Sequence, residues 1–140
     1  MSLYSCFTRT SSIWSPLTIR LGVGAIMFYH GAQKLFGWFG GSGLEATATS
    51  FADNLDLHPG MLMAVLAGGV ETFGGVLLII GFLTRPAALG IAITMGVAIY
   101  AAEMYGSLGG MEFPLLILLA SISIIVSGAG RLSIDYSKRN

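Results

Sequence analysis

The stretch from Gly60 to Phe82 holds a single charged side chain, Glu71. Three further stretches have the same apolar character, running roughly from Pro16 to Phe36, Pro86 to Tyr105 and Pro114 to Gly130. A membrane-crossing helix needs about 20 apolar residues to span a hydrocarbon core of about 30 Å. The first three segments in chain order reach that length, and the fourth is slightly short unless it continues toward Leu132. Lipid offers the backbone no hydrogen-bond partners, so each span must satisfy its own N–H and C=O groups as a helix. Alternating segments of the kind that build a transmembrane barrel are not seen. Composition points the same way: 10% of the residues are charged and 54% apolar, where a soluble domain carries about 25% charged residues. Seven acids and seven bases cannot coat a soluble chain of 140 residues. The expectation is one all-α membrane domain over 1–140, an antiparallel bundle of four transmembrane helices at about 16–36, 60–82, 86–105 and 114–131.

Prolines and small residues agree with these boundaries. Pro16, Pro86 and Pro114 fall near helix starts, where a missing N–H costs least. His58-Pro59-Gly60 closes the first loop. Gly68, Thr72 and Gly75 share one side of the second span, and Ser123 and Ser127 lie one turn apart on the fourth. Small residues at this spacing let helices approach closely where no hydrophobic force drives them together.

Charge placement orients the bundle. Arg9, Arg20, Arg85, Arg131, Lys138 and Arg139 fall on one side of the proposed spans, whereas the loop from Gly37 to Pro59 carries Glu45, Asp53 and Asp56 and no lysine or arginine. Glu103 and Glu112 flank the other outer loop. The excess of basic residues marks the cytoplasmic side, so both termini are expected there. The first span is too long for a signal peptide and is interrupted by His30 and Lys34, with no small-x-small cleavage site, so it is expected to remain. Net charge is zero with neutral histidines, leaving no field to attract nucleic acid. Cys6 is alone, which excludes an internal disulfide or dithiol relay.

Polar groups at depth carry the chemistry. Glu71 lies eleven residues from both Gly60 and Phe82, about 16 Å from either end. A carboxylate there costs roughly 2.5–3.5 kcal/mol on insertion scales unless it is paired or protonated. His30, Gln33 and Lys34 are spaced i, i+3, i+4 and share a face of the first span, which is expected to neighbour the second. Tyr100, Glu103 and Glu112 reach a similar outer-half depth, so these seven residues form the candidate polar site. Each has a plainer alternative. Lys34 can snorkel to the headgroups, His30 can be a hydrogen-bonded core residue, and Glu71 can pin helix packing while protonated. Tyr100, Tyr105, Trp38 and Phe39 can belong to an interfacial belt, Glu103 and Glu112 can be solvated loop ends, and Arg85 and Arg131 can be anchors. With only His30 and His58 available, no metal or haem site is expected, and no phosphate-binding glycine motif is present.

Four ordered motifs carry a family resemblance. They are YHGAQKLF at 29–36, ETFGGVLL at 71–78, GFLTRPAA at 81–88 and GAGRLSID at 128–135. The chain resembles the DoxX family of small bacterial membrane proteins from about Leu17 to Asp135. The family's closing segment usually reads Gly-Pro-Gly-Arg-x-Ser-Leu-Asp, and Ala129 here replaces its proline. The resemblance implies a multi-pass protein of the bacterial inner membrane. Relatives are associated with thiosulfate:quinone oxidation and with complexes linking superoxide detoxification to thiol balance. It supplies no catalytic residue to carry over.

Three functions compete. The first is a membrane subunit of a quinone-linked oxidoreductase, in which His30 and Lys34 polarise the quinone oxygens and Glu71 passes protons, with electrons supplied by a redox partner. No cofactor is expected within the chain itself. The second is an assembly subunit, in which the polar cluster specifies packing. The third is a small transporter or proton pathway, which would need a homo-oligomer because four short helices are few.

Overall fold

The computed structural model describes residues 14–104 and 110–138. Cys6, Arg9, Tyr105 and Arg139, used above, lie outside them. Among the described residues there is no strand; the helices are α1 (Ser15–Phe36), α2 (Gly43–Leu55), α3 (Gly60–Ile80), α4 (Thr84–Met104), α5 (Glu112–Ser127) and the short α6 (Ile134–Ser137). Pro16 sits in the first turn of α1, where its absent N–H would have had no helical acceptor.

α3 and α4 are each long and apolar enough to cross a membrane. Most of their apolar surface faces outward: Phe73 and Ile93 are exposed, as are Leu116 and Val126 on α5. A helix at the centre of a soluble domain would bury such residues, whereas lipid accommodates them. α5 is apolar but has only 16 residues, about 24 Å at 1.5 Å per residue. It does not continue toward Leu132. Gly128 and Gly130 both take positive φ, a backbone state open to glycine at little cost, and the chain leaves the helix there.

The core is drawn from four helices. Val23 and Met27 of α1, Leu78 of α3, Ala88, Ile91 and Met95 of α4, and Ile117 and Ile124 of α5 pack into one buried cluster. α1 packs most extensively on α3, and α4 on α5. The α1–α3 seam is close because it lacks side chains. A Cβ at Gly75 would lie 2.6 Å from the Phe28 nitrogen, and one at Gly31 would strike Thr72. Gly68, Thr72 and Gly75 all lie buried on this side of α3.

The segment from Gly37 to Pro59, a loop by hydropathy alone, contains a helix. α2 turns Thr47 and Ala48 inward with Phe51 and Leu55 partly covered, while Glu45, Asp53 and Asn54 face out. It packs on the start of α3 and on the end of α1. Thr47 Oγ1 donates to the Gly43 carbonyl at 2.7 Å and lies 3.4 Å from the Lys34 carbonyl. The latter is one of the C-terminal carbonyls of α1 that lack a helical donor.

At the opposite end, two of the motifs form one structural unit. Asp135, 2% exposed, accepts from the Leu83 and Thr84 N–H groups at 3.1 and 3.0 Å. These are orphan donors at the start of α4, and a carboxylate there also suits the helix dipole. The Asp135 N–H returns to the Gly81 carbonyl at 3.0 Å. Gly81 ends α3 at φ +70°, and a side chain in its place would collide with the Arg20 guanidinium. Arg20, counted above only for its charge, is thus part of this junction. It is 1% exposed and donates from Nη2 to the Leu132 carbonyl at 2.8 Å.

Candidate functional site

The site begins with a missing side chain. A Cβ at Gly68 would lie 2.8 Å from Leu35 and 3.4 Å from the Lys34 Cβ. Without one, the last turn of α1 lies directly on α3, and the Lys34 stem runs along α3 to the next turn. There its Nζ lies 2.6 Å from Oε1 and 2.5 Å from Oε2 of Glu71. Glu71 is 1% exposed and the Lys34 side chain 28%. The carboxylate in the middle of an apolar helix thus has an ammonium on both oxygens, which offsets part of the cost of burying a charge there. An ammonium carries three donors, so one remains beyond the two directed at Glu71.

The ion pair separates two cavities. On one side, a space of about 260 Å³ is lined by Lys34, Glu71, His30, Met27, Met95 and Phe113 among others. The His30 ring is held against Phe113, with centroids 5.1 Å apart, and edge-on to Tyr29 at 5.5 Å. On the other side, a space of about 330 Å³ lies beneath Phe51, Leu55 and Leu57 and against Ala98 and Ala101 of α4. Apart from Thr94, Lys34 and Glu71 themselves, its lining is apolar.

Of the seven candidate residues, the structure therefore brings together Lys34, Glu71 and His30. Gln33 faces the turn after α1 and donates to the Phe39 carbonyl at 3.4 Å. Tyr100 is 60% exposed, and Glu103 and Glu112 also face out. None of these four lines either cavity. Their depth was inferred from helix length, but rotation about the helix axis carries them away from the centre. Phe51, Thr94 and Ala98 were not anticipated. The small residues Ala98, Ala101 and Ala102 were the available signal, since they leave room beside the Glu71 carboxylate.

Aromatic residues gather next to the site at the end of α1. Tyr29 stacks on Phe39 at 5.0 Å and Phe36 leans on Trp38 at 5.0 Å, with all four rings exposed. Exposed aromatic rings of this kind suit a membrane–water interface. At the opposite end, the Arg131 guanidinium lies 5.5 Å from the Trp14 ring. Arg85 donates to the Val126 carbonyl at 3.1 Å. Among the described residues no group of three potential metal ligands converges.

A helical protein with lipid-suited outer faces and an ion pair buried between two helices defines the class, a membrane protein with a polar centre. The DoxX family matches residues 15–104, and the chain belongs to that family. It is 31% identical over 120 residues to "Putative oxidoreductase CatD" of Bacillus subtilis, covering 85% of this chain and 83% of that one. It is also 30% identical over 125 residues to an uncharacterized protein of Haemophilus influenzae, covering 86% and 81%. No solved structure matches.

Proposed function

We propose that this protein is a multi-pass subunit of the bacterial inner membrane that serves a quinone-linked oxidoreductase, with Lys34 and Glu71 at the quinone head. The observation that carries the reading is the doubly bonded ion pair between two cavities, with His30 lining one of them. In this reading α1, α3, α4 and α5 are the four spans. Arg85, Arg131 and Lys138 mark the cytoplasmic end, and both termini lie on that side. The family membership and the oxidoreductase name of the Bacillus relative support the redox assignment.

Quinone is the substrate. Two electrons enter its ring from a partner oxidoreductase, and its two carbonyl oxygens each gain a proton to give quinol. The remaining Lys34 donor bonds one carbonyl oxygen, where the ammonium stabilises the charge that develops on reduction. Lys34 delivers a proton to that oxygen, the second oxygen takes its proton from solvent, and Glu71 holds the Lys34 side chain in place between turnovers. His30 lies on the far side of the pair, placed to resupply protons.

Binding of a tail-less benzoquinone to the protein in lipid nanodiscs tests this. Lys34→Met removes a charged hydrogen bond worth about 1.5–3 kcal/mol, so affinity should fall roughly 10- to 100-fold. Unchanged affinity in both Lys34→Met and Glu71→Gln would reject the assignment. It would favour the assembly role, which has its own support in the way the pair ties α1 to α3 across a glycine-lined seam.

A further inference from the structure

The 330 Å³ cavity beside the ion pair does not stand alone. A second space of about 310 Å³ lies farther along α3 and α4, reaching Val70, Gly90 and Ile93. The two share Phe51, Leu57, Ala67, Thr94 and Val97. Together they form a continuous groove between α3 and α4, beneath the end of α2. At one end stand the Lys34 ammonium and Glu71 carboxylate. Along the rest of the groove, the only polar side chain among the described residues is Thr94, whose hydroxyl is turned back to the Gly90 carbonyl at 3.0 Å. Its far end is flanked by Ile93, 61% exposed on the outer face of α4.

We propose that this groove binds the hydrocarbon tail of the molecule whose head meets Lys34, so that the ligand is an amphiphile with a carbonyl-bearing head and a long alkyl or prenyl tail that enters sideways from lipid between α3 and α4. Three features select that occupant. The groove is continuous with the ion pair, so one molecule can occupy both. Polarity is confined to one end, matching a polar head on an apolar chain. Each space is of the size that binds small ligands, about 300–1,000 Å³, while the cavity on the His30 side is smaller, about 260 Å³, and sets a further polar group, His30, beside the ion pair, which suits a head rather than a tail. The roof also has a role in this arrangement: Phe51 and Leu57 cover the tail where it passes from head to groove.

The proposal rests on the assignment of Lys34 and Glu71 as the head site, and photolabelling separates the two. The probe is a benzoquinone bearing a ten-carbon tail with a diazirine at its end, added to the protein in nanodiscs and mapped by peptide mass spectrometry. Label should concentrate on the peptides carrying Val70 and Ile93 and disappear with excess unlabelled tailed quinone. Gly90→Leu fills the far part of the groove, away from Lys34 and Glu71, and should reduce that label roughly tenfold, the loss of a well-packed contact. The tail-less quinone should bind Gly90→Leu as it binds the parent. Gly90→Ala, with matching thermal unfolding, controls for helix disruption, because a Cβ there meets only Val70 at 3.2 Å. Label spread evenly over outward residues such as Leu116 and Val126, with no competition, would overturn the groove while leaving tail-less binding, and so the head site, intact. Groove labelling that is unaffected by Glu71→Gln and Lys34→Met would instead overturn the head site and make the groove a site for ordinary acyl chains.

Discussion

Lys34 stands two residues from the end of α1 and Glu71 halfway along α3, yet their side chains meet at 2.6 and 2.5 Å. The contact exists because Gly68 lets the Lys34 stem lie against α3 and follow it for one turn toward the centre of the protein. A residue that by position in α1 would reach the headgroup region is thereby committed to an acid within the apolar layer.

Removing one partner strands the other. Glu71→Leu or Lys34→Met should each destabilise the protein by about 3 kcal/mol, near the lower end for broken buried pairs because Lys34 is partly exposed. The double substitution should cost less than the sum of the singles, since no unpaired charge is left. Unfolding midpoints of the purified variants in the same lipid or detergent check this; strict additivity would mean that the pair is not coupled.

The α1–α3 seam predicts a contrast between glycines. Gly75→Ala places a methyl 2.6 Å from the Phe28 backbone nitrogen, so the helices must separate and stability should fall by about 1–3 kcal/mol. Gly22→Ala, on the same pair of helices but with nothing within 4 Å of the new methyl, should be neutral or stabilise by about 0.5–1 kcal/mol through helix propensity. Thermal unfolding of the two variants side by side gives the comparison.

Asp135 caps a helix that begins 51 residues earlier in the chain. Asp135→Ala leaves the Leu83 and Thr84 N–H groups without their acceptor and should cost about 1–2 kcal/mol. Hydrogen exchange should rise at these two amides while those in the middle of α3 stay protected. Equal protection in variant and parent would show that water or another group caps α4.

Tyr100, Glu103 and Glu112 line neither cavity. Tyr100→Phe, Glu103→Gln and Glu112→Gln should change stability by no more than about 0.5 kcal/mol and leave tail-less quinone affinity unaltered. A loss of affinity in any of them would extend the site to the outer surface.

Helix positions were legible because the length of an apolar run is a direct constraint, and Glu71 was legible because a charge within such a run is costly. Pairing with Lys34 was accessible from spacing and from the adjacency of sequential helices. Rotation was not: Tyr100 and Glu103 have the right depth but face outward, and an apolar helix with lipid on one side and protein on the other carries little periodic contrast to fix its azimuth. α2 escaped notice because 13 residues are too short for a span, although Leu44, Thr47, Ala48, Phe51 and Leu55 follow a helical spacing. The junction of Gly81–Thr84 with Leu132–Asp135 joins distant segments through one backbone hydrogen bond and the Asp135 carboxylate, and a capping contact of this kind leaves no pattern in side-chain hydropathy.

The central claim is that Lys34 and Glu71 hold the head of a tailed quinone. A structure of the protein in nanodiscs with a decyl-tailed benzoquinone tests it most directly. A quinone oxygen is expected within hydrogen-bond distance of Lys34 Nζ, with the tail between α3 and α4 past Ala67 and Thr94. An undisturbed ion pair, with the quinone absent or bound elsewhere on the protein, would contradict it.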